Sequence, residues 1–285
     1  MTSPDGCTSS SRGGWLEDLS FMCLIGIAWQ SHPQYAFIMA ANRDEFYARP
    51  TAAAHWWPAN SVLAGRDLEG GGTWLGVTRD GRFAALTNFR ERLHPRPEDP
   101  RPSRGELVRR CLQRNPDGHL PADIAAQRDE FAGFNLLSGR LAGPDRRLSF
   151  HTNRGRDQSA LAPGVYGMSN GELGANWPKV CALEATMAAL PAQSHPSDHL
   201  LDALTRADIA NDTALPNTGV GIELERRLSA AFILSEGYGT RCSTVLLVDY
   251  AGMATFIERT FDHTGTTVAT REFVWRIPVE QESPA

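Results

Sequence analysis

The 285-residue sequence has no apolar run that spans a bilayer: stretches such as Leu24 to Trp29 and Thr244 to Val248 fall far short of the roughly 20 residues a transmembrane helix needs. Long blocks of one charge are also missing. The net charge of −5 comes from mixed signs, so the chain lacks the basic footprint of a nucleic-acid binder and no such partner is expected. Cysteine is scarce. The five (Cys7, Cys23, Cys111, Cys181, Cys242) are odd in number and scattered, which excludes a paired disulfide framework and a zinc-ligand spacing. A reducing, cytoplasmic setting and no metal are expected. Residues 1–21 hold neither a basic leader nor an apolar stretch of signal-peptide length. They read as a disordered or mis-assigned extension ahead of one domain over 22–285. Oligomeric state has no sequence signature here.

What is present is average for a globular protein: 41% hydrophobic and 21% charged residues, enough to bury a substantial core. Met22 and Cys23 open the first strongly patterned segment, a branched apolar run to Trp29 that reads as a buried strand. A turn at His32-Pro33 leads to a second run, Tyr35 to Ala41, ending in the polar cluster Asn42-Arg43-Asp44-Glu45. This is a hairpin presenting polar groups at a strand end. Asp80-Gly81 marks another hairpin before Phe83 to Asn88. Glu91 to Arg104, rich in proline and charge, reads as an exposed loop ahead of a helix that starts at Ser103 to Glu106. Strand patterns follow at Phe131 to Leu137, Leu148 to His151 and Gly164 to Met168. Helical ones occupy Trp177 to Leu190, Leu200 to Ile209 and Ile222 to Ala231, and strands return at Gly239 to Tyr250 and Thr255 to Thr260. This order suggests two sheets with helices packed outside.

Several residues are suited to chemistry. If the chain starts at Met22 and loses it, Cys23 carries a free α-amine beside its thiol, and an amine with a reference pKa near 7.7–8.0 can serve as base for its own side chain. The plain alternative is an inert buried cysteine. Asp44 can hold an ammonium and Arg43 can favour a thiolate, or the tetrad is a solvated turn with a local ion pair. Asn88 and Asn170 close short apolar strands, where an amide either donates to a developing oxyanion or caps a turn. Arg241, at the mouth of the Val245 to Val248 strand, can bind a carboxylate, support the nucleophile or form a structural salt bridge.

Cys23-Leu24-Ile25, Asn42-Arg43-Asp44-Glu45, Gly71 to Gly76, Gly133 to Leu137, Tyr166 to Asn170, Trp177 to Val180 and Tyr238 to Arg241 occur in the order found in the Asn-Arg-Asp-Glu family, the relatives of transport and Golgi organization protein 2, which this chain resembles from Met22 to about Phe273. The resemblance implies an α+β fold, the four-layer αββα sandwich of N-terminal-nucleophile hydrolases. More distantly, the segments are similar to the cysteine amidases of the penicillin V acylase and bile salt hydrolase group. That likeness implies Cys23 as nucleophile, Asp44 beside its amine, Asn88 and Asn170 at the oxyanion, Arg241 as the late arginine, and Asn42 and Arg43 in support. The arginine those amidases carry three residues before their aspartate falls at Ala41 here.

Two functions follow. One is cofactor-free hydrolysis of an amide or thioester of a small acyl substrate. The other is a carrier in haem trafficking or acyl-coenzyme A and lipid handling, with His151, His55 and Cys181 as haem-ligand candidates, none of them in a haem motif. The composition of residues 1–21 also makes a prediction: a protein shortened to Met22 should melt within about a degree or two of the full chain. A drop of many degrees in a thermal scan would show that the extension belongs to the fold.

Overall fold

The computed structural model describes residues 22–58, 61–90, 101–114, 120–192 and 195–278. The extension read at 1–21 and residues 91–100 of the Glu91 to Arg104 loop lie outside them. Among the described residues thirteen strands and five α-helices follow one another as β1 (Cys23–Trp29), β2 (Tyr35–Phe46), β3 (Thr51–Trp57), β4 (Val62–Asp67), β5 (Leu75–Thr78), β6 (Arg82–Asn88), α1 (Gly105–Arg114), α2 (Ala122–Gln127), β7 (Phe134–Arg140), β8 (Arg147–Thr152), β9 (Gly164–Met168), α3 (Pro178–Ala188), α4 (Ser197–Leu204), α5 (Ile222–Leu228), β10 (Leu234–Ser235), β11 (Tyr238–Asp249), β12 (Met253–Phe261) and β13 (Thr267–Arg276). They form two antiparallel sheets. The first runs β13-β12-β11-β2-β1-β9, with β10 added to β11; the second is the meander β3-β4-β5-β6-β7-β8.

Alternation along the strands assigns the layers. Ile25, Ile27 and Trp29 of β1 join Phe37 and Met39 of β2, and with Val77, Phe83 and Phe150 of the second sheet they fill the space between the sheets. Leu24 and Ala28 face the other way, onto Val180, Leu183 and Met187 of α3 and Leu200 and Leu204 of α4. The far side of the second sheet, through Val62, Ala84 and Leu86, packs on Leu107, Val108 and Leu112 of α1 and Ile124 of α2. The result is the expected αββα sandwich.

Three expectations are corrected. The strand expected to give way to polar residues after Ala41 instead runs through Asn42-Arg43-Asp44-Glu45 to Phe46, so the tetrad forms the last stretch of β2 and is wholly buried, because β1 and β11 pair with it on both edges. Helix α4 stops at Leu204 rather than Ile209, since the Arg206 carbonyl is taken by the Phe232 N–H. Helix α5 likewise ends at Leu228, short of Ala231. Strands β3 and β13 gave little signal in the sequence, one through its alanine run and the other because it is an exposed edge.

Helix α3 reaches the first sheet because two glycines face each other across β1 and β9: Gly26 is the register partner of Gly167. A Cβ on Gly26 would lie 2.6 Å from Met187 Sδ, and one on Gly167 2.6 Å from Val180 Cγ1. Either glycine changed to alanine pushes the helix outward, so each should destabilise by about 1–3 kcal/mol in denaturant unfolding. A neutral result for both would mean that α3 is not seated by this close approach.

Candidate active site

Cys23 opens β1 opposite Arg43 of β2. Its backbone N–H donates to Asn170 Oδ1 at 3.3 Å, and its carbonyl accepts from the Ser169 hydroxyl at 2.7 Å. The Asn170 amide is turned by a further bond, Nδ2 to the Asn88 carbonyl at 2.9 Å. Asn170 thus presents an acceptor to the Cys23 nitrogen rather than only a donor to an oxyanion, and Asn88 ends β6 beside it.

Met22 is woven into the same place. Its N–H donates to the Tyr238 hydroxyl at 2.8 Å, its carbonyl accepts from the Asp44 N–H at 2.9 Å, and Arg90 reaches its sulfur at 3.0 Å. The Arg90 guanidinium also donates to Glu225 at 2.6 Å, an ion pair in which both side chains are buried, and it lies 4.9 Å from the Trp177 ring centroid.

The tetrad divides between the two faces of β2. Asn42 donates to the carbonyls of Leu204 and Ala231 and accepts from Ser243. Asp44, two residues on, accepts from Thr240 at 2.6 Å. Arg43 and Glu45 face the other way and pair with each other at 3.1 Å, with Arg49 behind Glu45. Burial pushes Asp44 up to about 6 against the pull of Lys179, Thr240 and Arg43. It pushes Glu45 up to about 7 against Arg43.

The same burial governs the thiol. Desolvation, followed by the Asp44 charge, pushes Cys23 up to about 12, and Arg43 lowers it by less. Arg43 does act in favour of the thiolate, but in the chain that retains Met22 the cost of removing the thiolate from water dominates.

Arg241 is the extra residue of a bulge in β11, between the partners of Asp44 and Arg43. It donates to the carbonyls of Phe46 at 2.8 Å and Arg49 at 3.1 Å. It therefore braces the β2–β3 turn, and burial, then Arg43, lowers its pKa. The haem-ligand candidates sit on separate elements: His55 on β3, held to the Ala53 carbonyl; His151 on β8, buried near Asp157; and Cys181 exposed on α3. Among the described residues no group of three or more His, Cys, Asp or Glu is placed to hold a metal, and no helix is long and apolar enough to cross a membrane.

Sequence reading passed over Met22, Arg90, Glu225, Tyr238 and Lys179 as site residues. A signal existed for Lys179, which shares a stripe at intervals of four with Leu183 and Met187, all buried. A charge on the apolar stripe of a helix is unusual enough to mark a site.

The fold is a four-layer αββα sandwich with a cysteine at the head of its first strand. The family model described as Transport and Golgi organisation 2 matches residues 22–263, and the chain belongs to that family. The Transport and Golgi organization protein 2 homolog of Bos taurus is 38% identical over 276 residues, covering 88% of this chain and 99% of the relative. The Homo sapiens homolog is 35% identical over 258 residues, with 84% and 92% covered. Among solved structures, a Caenorhabditis elegans N-acylethanolamine-hydrolyzing acid amidase ortholog aligns with a TM-score of 0.46 at 12% identity, over 79% of this chain and 92% of that one. Likeness at that level transfers neither activity nor residue roles.

The thiol geometry makes its own prediction. Burial holds the Cys23 thiol protonated and out of solvent. Among the described cysteines of the chain that keeps Met22, iodoacetamide should modify exposed Cys181 first, read by peptide mass spectrometry. Modification of Cys23 as fast as Cys181 would contradict the burial argument.

Proposed function

We propose that the protein is an N-terminal cysteine hydrolase acting on the amide or thioester of a small acyl substrate, active once the residues ahead of Cys23 are gone. The observation that carries this reading is the cradle around one nitrogen: the Cys23 N–H points at Asn170 Oδ1, beside Asp44, whose second carboxylate oxygen has no hydrogen-bond partner among the described residues. While Met22 is attached that nitrogen is an amide and cannot take a proton. Freed, it becomes an amine whose reference pKa, near 7.7–8.0, suits a base at neutral pH.

The chemistry then balances. Cys23 Sγ attacks the acyl carbon and gives its proton to its own amine. The amine passes that proton to the departing amine or thiol as the C–N or C–S bond breaks. Water next attacks the thioester on Cys23, again through the amine, releasing the acid and restoring the thiol. Asn88 is the amide assigned to the tetrahedral oxyanion, where losing one donor typically costs about hundredfold or more in rate. Asn170 and Asp44 orient the amine, Arg43 supports the site from the opposite face of β2, and Asn42 and Arg241 hold its frame. No cofactor is required.

The test is a protein beginning at Cys23, assayed on panels of acyl amides and acyl thioesters. Hydrolysis should appear in that form, be lost in Cys23→Ala with melting temperature little changed, and be absent from the chain that retains Met22. No turnover by any form, together with a haem absorption spectrum on the purified protein, would instead favour the carrier reading.

A further inference from the structure

Of the 28 lysine and arginine residues in the chain, Lys179 is the only lysine. It is also buried, 4% exposed, on the inward stripe of α3. An unpaired buried ammonium is unfavourable, and folded proteins keep one only where an opposite charge or a function offsets the lost hydration. Lys179 Nζ has no hydrogen-bond partner among the described residues, and neither does Asp44 Oδ2. The two groups act on each other: Lys179 is the strongest charge favouring the Asp44 carboxylate, and Asp44 the strongest favouring the Lys179 ammonium. Thr240 holds the other Asp44 oxygen, so Oδ2 is the oxygen that the described residues leave unbonded.

The titratable groups acting on Lys179 come from several elements. Asp44 of β2, Cys23 of β1 and Glu225 of α5 favour its proton, and Arg90, after β6, opposes it. Its stem lines a cleft of about 200 Å³ with Leu24, Pro178, Ala182 and Ile209, where Arg206 and Asp208 are the other charged residues. Burial, the dominant influence, brings Lys179 down to about 8. An arginine at the same place would stay charged throughout the neutral range and carry a rigid planar fork; lysine supplies a compact cation whose charge responds to its surroundings.

We infer that Lys179 is a positioning residue of the Cys23 site: its buried ammonium faces Asp44 and keeps that carboxylate ionised beside the Cys23 nitrogen. The functional meaning of this assignment rests on the reading of Cys23 as an N-terminal nucleophile; the charge pairing itself does not. An ionised Asp44 can orient an amine that a protonated one would release. The same ammonium, as a like charge nearby, disfavours protonation of that amine and so keeps it available as a base.

A chain with one lysine allows a direct test. Lysine labelled with ¹³C at Cε gives one side-chain resonance from the full-length protein, and its titration reports Lys179 alone. The expected midpoint is about 8, against 10.5 for ordinary lysine, and Asp44→Asn should move it lower by about one pH unit, because the strongest charge favouring the proton is lost. In a protein starting at Cys23, Lys179→Met should slow iodoacetamide labelling of Cys23 at pH 7 about tenfold and displace its pH profile, while Lys179→Arg restores part of the rate. A midpoint at the ordinary lysine value that ignores Asp44→Asn would overturn the pairing. An unchanged Cys23 pH profile in folded Lys179→Met would overturn the positioning role. The titration needs no active nucleophile, so a normal Asp44 coupling with no hydrolysis by the Cys23-first protein would count against the hydrolase reading alone.

Discussion

Everything at this site depends on burying charge inside a strand. β2 is paired on both edges, so its backbone is satisfied and its side chains must find partners above and below the sheet. Asn42 and Asp44 point to the helical layer, and Arg43 and Glu45 to the other side. Asn42 is fully met by carbonyls of Leu204 and Ala231 and the Ser243 hydroxyl. Arg43 and Glu45 answer each other. Of the four, Asp44 alone keeps an oxygen without a hydrogen bond among the described residues, and Lys179 is the strongest charge acting on that incompletely met acid. Charge that stays in a low-dielectric interior without full pairing is the usual mark of a functional site.

The N-terminal side of the same cluster is blocked by Met22, whose amide groups and sulfur occupy Tyr238, Asp44 and Arg90. One residue therefore decides two properties. With Met22 in place, the Cys23 nitrogen is an amide and the thiol is held protonated by burial; without it, the nitrogen becomes a base and three polar partners are released next to the thiol. The glycine pair under α3 belongs to this arrangement as well, because it sets the depth at which Lys179 enters the cluster.

Much of this was legible in the sequence. The strand headed by Cys23, the Asp-Gly hairpin, α3 and the two-sheet, helices-outside order all follow from apolar period and turn residues, which report local structure directly. The tetrad was visible but misplaced: four polar residues after an apolar run normally end a strand, and only the pairing of β2 with β11, some 200 residues later in sequence, keeps them inside. Arg241 was found, but its bulge, and hence its grip on the Phe46 and Arg49 carbonyls, depends on that same distant register. Arg90 and Glu225 look locally like solvated charges, and their burial is a property of the assembled layers, whereas Lys179 carries a local signal in its place on the apolar stripe of α3.

On the proposed function, Cys23 becomes the first residue of the working protein. The direct measurement is the mass and sequence of the N-terminus of the protein isolated from the cells that produce it. The expected result is a chain that starts at Cys23 with an unmodified α-amine. A mature protein that retains Met22, or any residue before it, would contradict it.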